Sequence, residues 1–420
     1  MTIRSLGASN YKGFRDAEAL TLAPLTLLLG RNNSGKSALA RLPLLLGASL
    51  APSAPATPVD IDAVPGDLGG SFLDLIYGRR PHGSIGLSVE FESNADFRLA
   101  VTIQNVDEFQ LQVVSNFELV FGPQRLTLSW DYGDPRPGAR TYVCSLNDEI
   151  FFTGAIPFEG ILPQLHLVDG ITTPEEVIVA IAAARESCDQ MSYLGPFRAQ
   201  PERLYRLPSR EVKTVGQTGS FAPAAIADDS LRGTGELLAA INKSIGSILA
   251  GWELEVDIRA NTFTLNLVSK TDRTVSVNIA DTGTGVAQVL PVYVQSVLNN
   301  VLTPRRPLLQ IIEQPELHLH PAAHADLAEL FLAGINQGMR YIIETHSETL
   351  LLRLRRHVAQ GLDPASIAIY YVDPGSRTKV RRIGLDSLGN VDYWPEGVFA
   401  EDYDEARDLA SAQLERTPKT

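Results

Sequence analysis

The sequence predicts an α/β fold organised around a phosphate-binding loop, with a segment of antiparallel strands in its first half. Three observations carry this. Residues 30 to 37 read Gly30-Arg31-Asn32-Asn33-Ser34-Gly35-Lys36-Ser37, or G-x-x-x-x-G-K-S, after the apolar run Leu25-Thr26-Leu27-Leu28-Leu29 and before Ala38-Leu39-Ala40-Arg41-Leu42, the strand, loop and helix order that a P-loop requires. An apolar run at 307–312 ends on an acid, Glu313. Between them, short β-like segments alternate with Gly, Asn and Asp turns, a spacing that implies antiparallel pairing.

Taken in chain order, Ala19–Leu22 and Leu25–Leu29 read as strands around Ala23-Pro24. In the loop, backbone N–H groups can converge on a polyphosphate only where no Cβ intervenes, which Gly30 and Gly35 allow, and the helix opening at Lys36 turns its positive dipole end toward the same point. Arg31, Asn32, Asn33, Ser34 and Ala38 complete the cradle, Lys36 reaches the β and γ phosphates, and the Ser37 hydroxyl is a ligand for Mg²⁺. Pro43 falls inside the expected helix; an interior proline costs about 3 kcal/mol, so a kink or an early end is predicted. Residues 43–70, rich in Pro, Ala and Gly, read as a long connection. Strands follow at Ile85–Phe91, Phe97–Val106, Phe109–Val114, Phe117–Phe121 and Leu126–Trp130, then a helix over 173–190 with Pro174 and two acids in its first turn. A polar stretch, 198–233, divides a first lobe (1–197) from a second (234–420). No a/d heptads persist, so no long coiled-coil arm is expected.

Composition narrows the class. With 420 residues, 44% hydrophobic and 20% charged, the chain has the profile of a globular protein of two or three domains. A net charge of −13 argues against a broad, sequence-independent grip on DNA or on anionic membrane. Two cysteines, Cys144 and Cys188, make neither a disulfide framework nor a C-x-x-C zinc site. No run approaches 18 apolar residues and no cleavable leader is evident, so no membrane partner is expected and a reducing cytoplasm fits best.

The second half carries the remaining chemistry. The strand ending at Glu313 runs into Gln314-Pro315-Glu316-Leu317-His318-Leu319-His320-Pro321; an apolar strand that delivers an acid downstream of a P-loop is the Walker B arrangement, which brings a carboxylate to Mg²⁺. Pro321 suits a first helical turn, and the helix continues over Ala322–Ile335 to Gln337-Gly338. Arg340–Glu344 reads as another strand, and Thr345-His346-Ser347-Glu348 as a helix start with Thr345 and Glu348 spaced as a capping box. His346 at that corner faces the strand ends, where ligands bind in open α/β sheets, and could sense a γ-phosphate. Arg353, Arg355, Arg356 and His357 complement the far end of that helix. A competing reading takes His318, His320 and His346 with Glu313 as ligands of a metal-dependent hydrolase. Finally, Asp281-Thr282-Gly283-Thr284-Gly285 opens an apolar helix and looks like a second phosphate-facing helix start, one more than a single triphosphate needs.

In order, Asn10-Tyr11-Lys12-Gly13-Phe14, the P-loop, the stretch from Asp281 to Gln288, Glu313 to Pro321 and Glu344-Thr345-His346-Ser347 resemble the ABC-type ATPases of the SMC, RecF and OLD kind. The likeness extends to stand-alone prokaryotic AAA-family ATPases with a C-terminal domain of unknown function, here Tyr393 to Phe399, and Tyr193-Leu194-Gly195-Pro196-Phe197-Arg198 looks like a motif of that group. The resemblance implies an ABC-ATPase-like, two-lobe P-loop NTPase head that dimerises around ATP and Mg²⁺. Asp281, Gly283 and Gly285 of one copy would close on nucleotide held by the other. Glu313 falls at the Mg²⁺ acid, His346 at the switch histidine, His320 where a D-loop aspartate often stands, and Gln314 where many relatives place the catalytic glutamate. An amide cannot take up a proton, so either Glu316 serves as base or hydrolysis is slow and the chain is a nucleotide-gated binding module. The family's roles include DNA repair and antiphage defence, often beside a separate nuclease or toxin, with DNA itself a further partner whose binding would weaken steeply with salt.

Overall fold

A computed structural model describes residues 2–50, 57–92, 97–169, 174–188, 191–246, 248–302, 309–373, 378–395 and 409. Its centre is a six-stranded sheet in the order Met191–Leu194, Leu309–Glu313, Arg340–Glu344, Leu25–Gly30, Ile367–Asp373, Lys379–Ile383. The first five strands run parallel and the last pairs antiparallel. Strands that are covered on both faces must be apolar throughout rather than alternating, and Leu25–Gly30 is buried at every position. Successive side chains then feed opposite cores: Leu28, Ile311, Ile342 and Ala368 go to one, Leu27, Ile312, Ile343 and Ile369 to the other. The chain thus has the α/β, two-lobe P-loop arrangement with an antiparallel subdomain that its motifs imply.

On the first face lies an eight-stranded antiparallel sheet, in which Thr2–Ser9 pairs with both Glu18–Thr21 and Ser84–Glu92 and the remaining strands follow in chain order to Glu149–Ala155. Its strands alternate as one-sided sheets do: Ser84–Glu92 buries every second residue. Helix Leu42–Leu50 fills the gap between the two sheets. On the second face, helices Ala222–Arg232, Glu236–Ser244, Thr284–Leu302, Pro321–Ile335 and Glu348–Ala359 pack with the small antiparallel sheet Trp252–Arg259, Thr262–Ser269, Ser276–Asn278. No helix among the described residues is long and apolar enough to cross a membrane.

Several expectations need correction. The helix after the P-loop ends at Ala40 as Pro43 required, but a second helix starts at Leu42 with Pro43 in its first turn, where a missing N–H costs nothing; the supposed connection from residue 43 is therefore helical to Leu50, and residues 51–56 lie outside the described set. The separate strands placed at 109–114 and 117–121 are one strand, Leu111–Phe121, whose pairing skips from Asn116 to Val114. Buried Ser115 is the extra residue, bonded to the Thr102 carbonyl at 3.2 Å; a bulge resets the alternation, so the run looks broken in sequence. The polar stretch 198–233 contains a helix. Helix Glu348–Ala359 is capped by Ser347, whose hydroxyl accepts from the Leu350 N–H at 3.0 Å, and Thr345 instead accepts from the Ser347 N–H.

Helix Pro321–Ile335 is seated on the strand Arg340–Glu344 by a close approach at Gly334, where a Cβ would fall 1.9 Å from the Tyr341 hydroxyl. Gly334→Ala is expected to destabilise the fold by about 1–3 kcal/mol through overpacking. Tyr341→Phe in the same chain should recover part of that loss, read from urea denaturation of the single and double variants.

Candidate nucleotide site

The parallel sheet aligns its strand ends: Glu313 pairs with Glu344, Glu344 with Leu28, and Val372 with Gly30. The loop that leaves Leu25–Gly30 turns through left-handed backbone at Gly30 (φ 150°), Asn33 (φ 60°) and Gly35 (φ 94°), conformations of the kind from which anion-binding concavities are built. Both glycines are also demanded by neighbours within the chain. A Cβ on Gly30 would meet the Val372 carbonyl at 2.6 Å, and one on Gly35 would meet the Phe14 ring at 3.0 Å. The segment Asn10–Phe14 therefore supports the loop from beneath: Tyr11, fully buried, donates to the Ala38 carbonyl at 3.3 Å. The helix beginning at Lys36 has only five residues, so its dipole is that of little more than one turn.

Arg31, Asn32 and Asn33 are exposed on the rim, while Ser34 and Lys36 are buried. The Lys36 ammonium donates to the carbonyls of Gly30 at 3.0 Å and Arg31 at 2.7 Å and lies 4.0 Å from Glu344 Oε1. Desolvation holds its pKa below the usual lysine value, with Glu344 and Glu316 opposing. Ser37 lies beside the Glu344 carboxyl. Glu313 is 1% exposed and its two oxygens take Arg41 in a fork, Nε to Oε1 at 2.6 Å and Nη2 to Oε2 at 2.7 Å, with the Tyr193 hydroxyl on Oε1 at 3.0 Å. Burial pushes the Tyr193 phenol upward. The pair with Glu313 raises the Arg41 pKa against the cost of its own burial.

Beyond the acid the chain turns at Gln314 in left-handed backbone (φ 46°), its N–H donating to the Glu344 carbonyl at 2.7 Å. Arg198 reaches across from the loop after Met191–Leu194 and donates to the carbonyls of Glu313 at 2.8 Å and Gln314 at 2.9 Å. Glu316 is buried and its Oε1 accepts from the His346 N–H at 2.6 Å. Burial raises its pKa above the ordinary 4.5, and the His346 N–H opposes the shift. The His346 side chain is exposed; partial desolvation first and the charge of Lys36 second hold its pKa below the ordinary value, so the ring sits within the field of Lys36.

Lys36, Ser37, Glu313, the Gln314 backbone, Glu316 and His346 thus converge on one sheet edge. Asp281, Gly283 and Gly285 make other contacts. Asp281 is held by Arg203 in a fork, at 2.8 Å for Nη1, Gly285 packs under the His318 carbonyl, and Gly283 is exposed with nothing within 4 Å of where its Cβ would be. The histidines are dispersed. His320 caps helix Pro321–Ile335 by accepting from the Ala322 N–H, His324 bonds the Ser347 hydroxyl and the Leu319 carbonyl, and His318 is exposed; among the described residues no three His, Cys, Asp or Glu side chains gather as metal ligands. Arg41, Tyr193, Arg198 and Glu344 make contacts within the site that motif reading did not assign, although Tyr193, Arg198 and Glu344 stand in segments singled out from sequence. Of the C-terminal stretch, Tyr393 lies under the Arg381 guanidinium at 3.3 Å, and Glu396 to Phe399 lie outside the described residues.

Removing one member of a buried ion pair leaves an uncompensated charge, at about 3–5 kcal/mol. Arg41→Met is expected to destabilise the chain by that amount, and Arg41→Met combined with Glu313→Leu to recover most of it, in a double-mutant denaturation cycle. For Glu316, a raised folded pKa means that the folded chain keeps its proton to higher pH than the unfolded chain. Its contribution to stability is complete below the unfolded value and is lost as pH rises through the folded one. Glu316→Gln keeps the acceptor and has no charge to bury. Wild type and variant should therefore converge at about pH 4 and below, with the variant more stable at pH 7, in denaturant midpoints measured across pH.

The chain matches no protein-family model and no curated protein. Among solved structures it is similar to the SMC head domain from Thermotoga maritima, at 12% identity and a TM-score of 0.44 over 92% of this chain and 100% of that one. It is also similar to an SmcHead bound to the C-winged helix domain of ScpA, at 12% identity and 0.49 over 92% and 98%. A third is the Smc head domain with an extended coiled coil bound to the C-terminal domain of ScpA derived from Pyrococcus furiosus, at 11% and 0.46 over 97% and 99%. At this level of likeness the fold rests on the strand order and loop geometry above, and these neighbours transfer no function.

Proposed function

We propose that the chain binds ATP with Mg²⁺ on the loop Gly30–Ala38 and acts as an ABC-like nucleotide-driven switch that pairs two copies around ATP, with slow hydrolysis. The observation that carries this reading is the convergence of Lys36, Ser37, the three buried acids Glu313, Glu316 and Glu344, and His346 on the edge of one parallel sheet, beside a loop whose left-handed turns suit an anion. The residues fit the ligand: left-handed turns supply donors for phosphate oxygens, Lys36 supplies charge, and the Ser37 hydroxyl with a carboxylate supplies hard oxygen ligands for Mg²⁺. When bound, Mg²⁺ would neutralise charge on the phosphates. The chain itself would hold the polyphosphate, orient attacking water in line with the γ-phosphoryl group and exclude bulk solvent.

Slow turnover is supported by two features. Gln314 offers an amide where a base is needed, and Glu316 commits one oxygen to the His346 N–H. The same features favour the second reading, a non-hydrolysing, nucleotide-gated module that signals to a separate effector. Pairing is supported by the exposed, unobstructed Gly283 at the start of helix Thr284–Leu302, a surface open to a second copy. A place in DNA repair or antiphage defence, beside a nuclease or toxin, is supported by the order of motifs alone.

Titration calorimetry of the full chain with ATP and Mg²⁺ should show binding, and Lys36→Ala should weaken it by about 10- to 100-fold, the equivalent of one or two charge-assisted hydrogen bonds. Light scattering should register ATP-dependent dimers that Gly283→Arg abolishes while each monomer still binds nucleotide. Absence of any heat with ATP would end the reading; dimers without phosphate release would select the non-hydrolysing form.

A further inference from the structure

Of the two acids that end adjacent strands, Glu313 and Glu344, the one at the expected metal position is the less available. Both Glu313 oxygens are engaged by Arg41, and Tyr193 adds a third donor; Arg41 is itself anchored to the Asp67 carbonyl at 2.6 Å. Presenting Glu313 to a cation would mean displacing a two-pronged pair out of water, where such pairs are strongest. Its neighbour is as deeply buried but differently held. Glu344 is 3% exposed, its Oε1 lies 4.0 Å from the Lys36 ammonium, its carboxyl lies beside Ser37, and its Oε2 is buried with no hydrogen-bond partner. A buried carboxylate oxygen without a partner is costly and calls for an explanation such as an ion.

We propose that Glu344, not Glu313, is the carboxylate this chain presents, with the Ser37 hydroxyl, to the divalent cation that accompanies the nucleotide, and that Arg41 and Tyr193 hold Glu313 in a supporting position. This rests on the nucleotide reading above and specifies which acid serves it. The chemistry is consistent: the pair offers two hard oxygen donors directly beside the phosphate-binding lysine, and a cation would satisfy Oε2. Glu313 then acts on the site through Arg41 and through its carbonyl, which Arg198 holds in place.

The test measures ATP affinity by calorimetry in EDTA and in Mg²⁺ for the full chain, Glu344→Gln and Glu313→Gln, and follows bound Mn²⁺ by electron paramagnetic resonance with ATP present. Glu344→Gln is expected to bind metal-free ATP at least as tightly as wild type, since a negative charge near the phosphates is gone. It should lose about tenfold of the gain that Mg²⁺ confers, together with the bound Mn²⁺ signal, while folded Glu313→Gln, which frees Arg41 but leaves Glu344 in place, loses clearly less of either. Glu344→Asp, which retains the charge on a shorter stem, should fall between and replaces Glu344→Gln if that variant does not fold by near-ultraviolet circular dichroism. A folded Glu344 variant with the full Mg²⁺ gain, or a comparable loss in folded Glu313→Gln, overturns the assignment. Wild type that fails to bind ATP in either condition overturns the nucleotide reading instead.

Discussion

Two carboxylates, Glu313 and Glu344, stand side by side at the ends of adjacent parallel strands, both nearly inaccessible to water, and much of the surrounding structure answers the electrostatic problem they create. Neighbouring strands run less than ~5 Å apart, and like charges at such separation in a partly desolvated setting repel by several kcal/mol, on the order of 4 at an effective dielectric of 20. The chain resolves this by giving each acid its own cation: Arg41 forks onto Glu313, and Lys36 approaches Glu344. Because both cations come from the P-loop and the turn that follows it, the electrostatics of the sheet edge and the geometry of the phosphate cradle are one arrangement.

That coupling gives the flanking motifs physical roles. Tyr11 and Phe14 pack beneath the loop and fix where Lys36 emerges. Tyr193 and Arg198, five residues apart on an edge strand and its loop, secure the side chain of Glu313 and the carbonyls that follow it. Glu316 ties the Gln314 loop to the His346 corner through a backbone N–H, so the two turns flanking the site are directly linked. A cation bound beside Ser37, or a phosphate that drew Lys36 from the Gly30 and Arg31 carbonyls, would change the charge balance felt by every one of these groups.

Legibility from sequence followed the range of the interaction. The P-loop, the strand Leu25–Gly30, the strand Arg340–Glu344 and the helix from Pro321 were readable because a local pattern, such as a continuous apolar run or a proline in a first turn, specifies each without reference to distant residues. The bulge at Ser115 was misread because it interrupts the period on which strand reading depends. The Ser347 cap was missed because Thr345 and Ser347 both satisfy the local rule, and only the path of the chain out of the sheet chooses between them.

By itself the sequence determined that a phosphate-type loop, an acid-tipped strand and a histidine corner exist in this chain, since each is written within about ten consecutive residues. Only the tertiary structure decided that the strand bearing Glu344 lies between the other two, that Arg41 belongs to Glu313, and that Lys36 belongs to Glu344. Strand order and long-range charge pairing arise from how two apolar cores close on a shared sheet, and no local pattern encodes which buried charges then become neighbours.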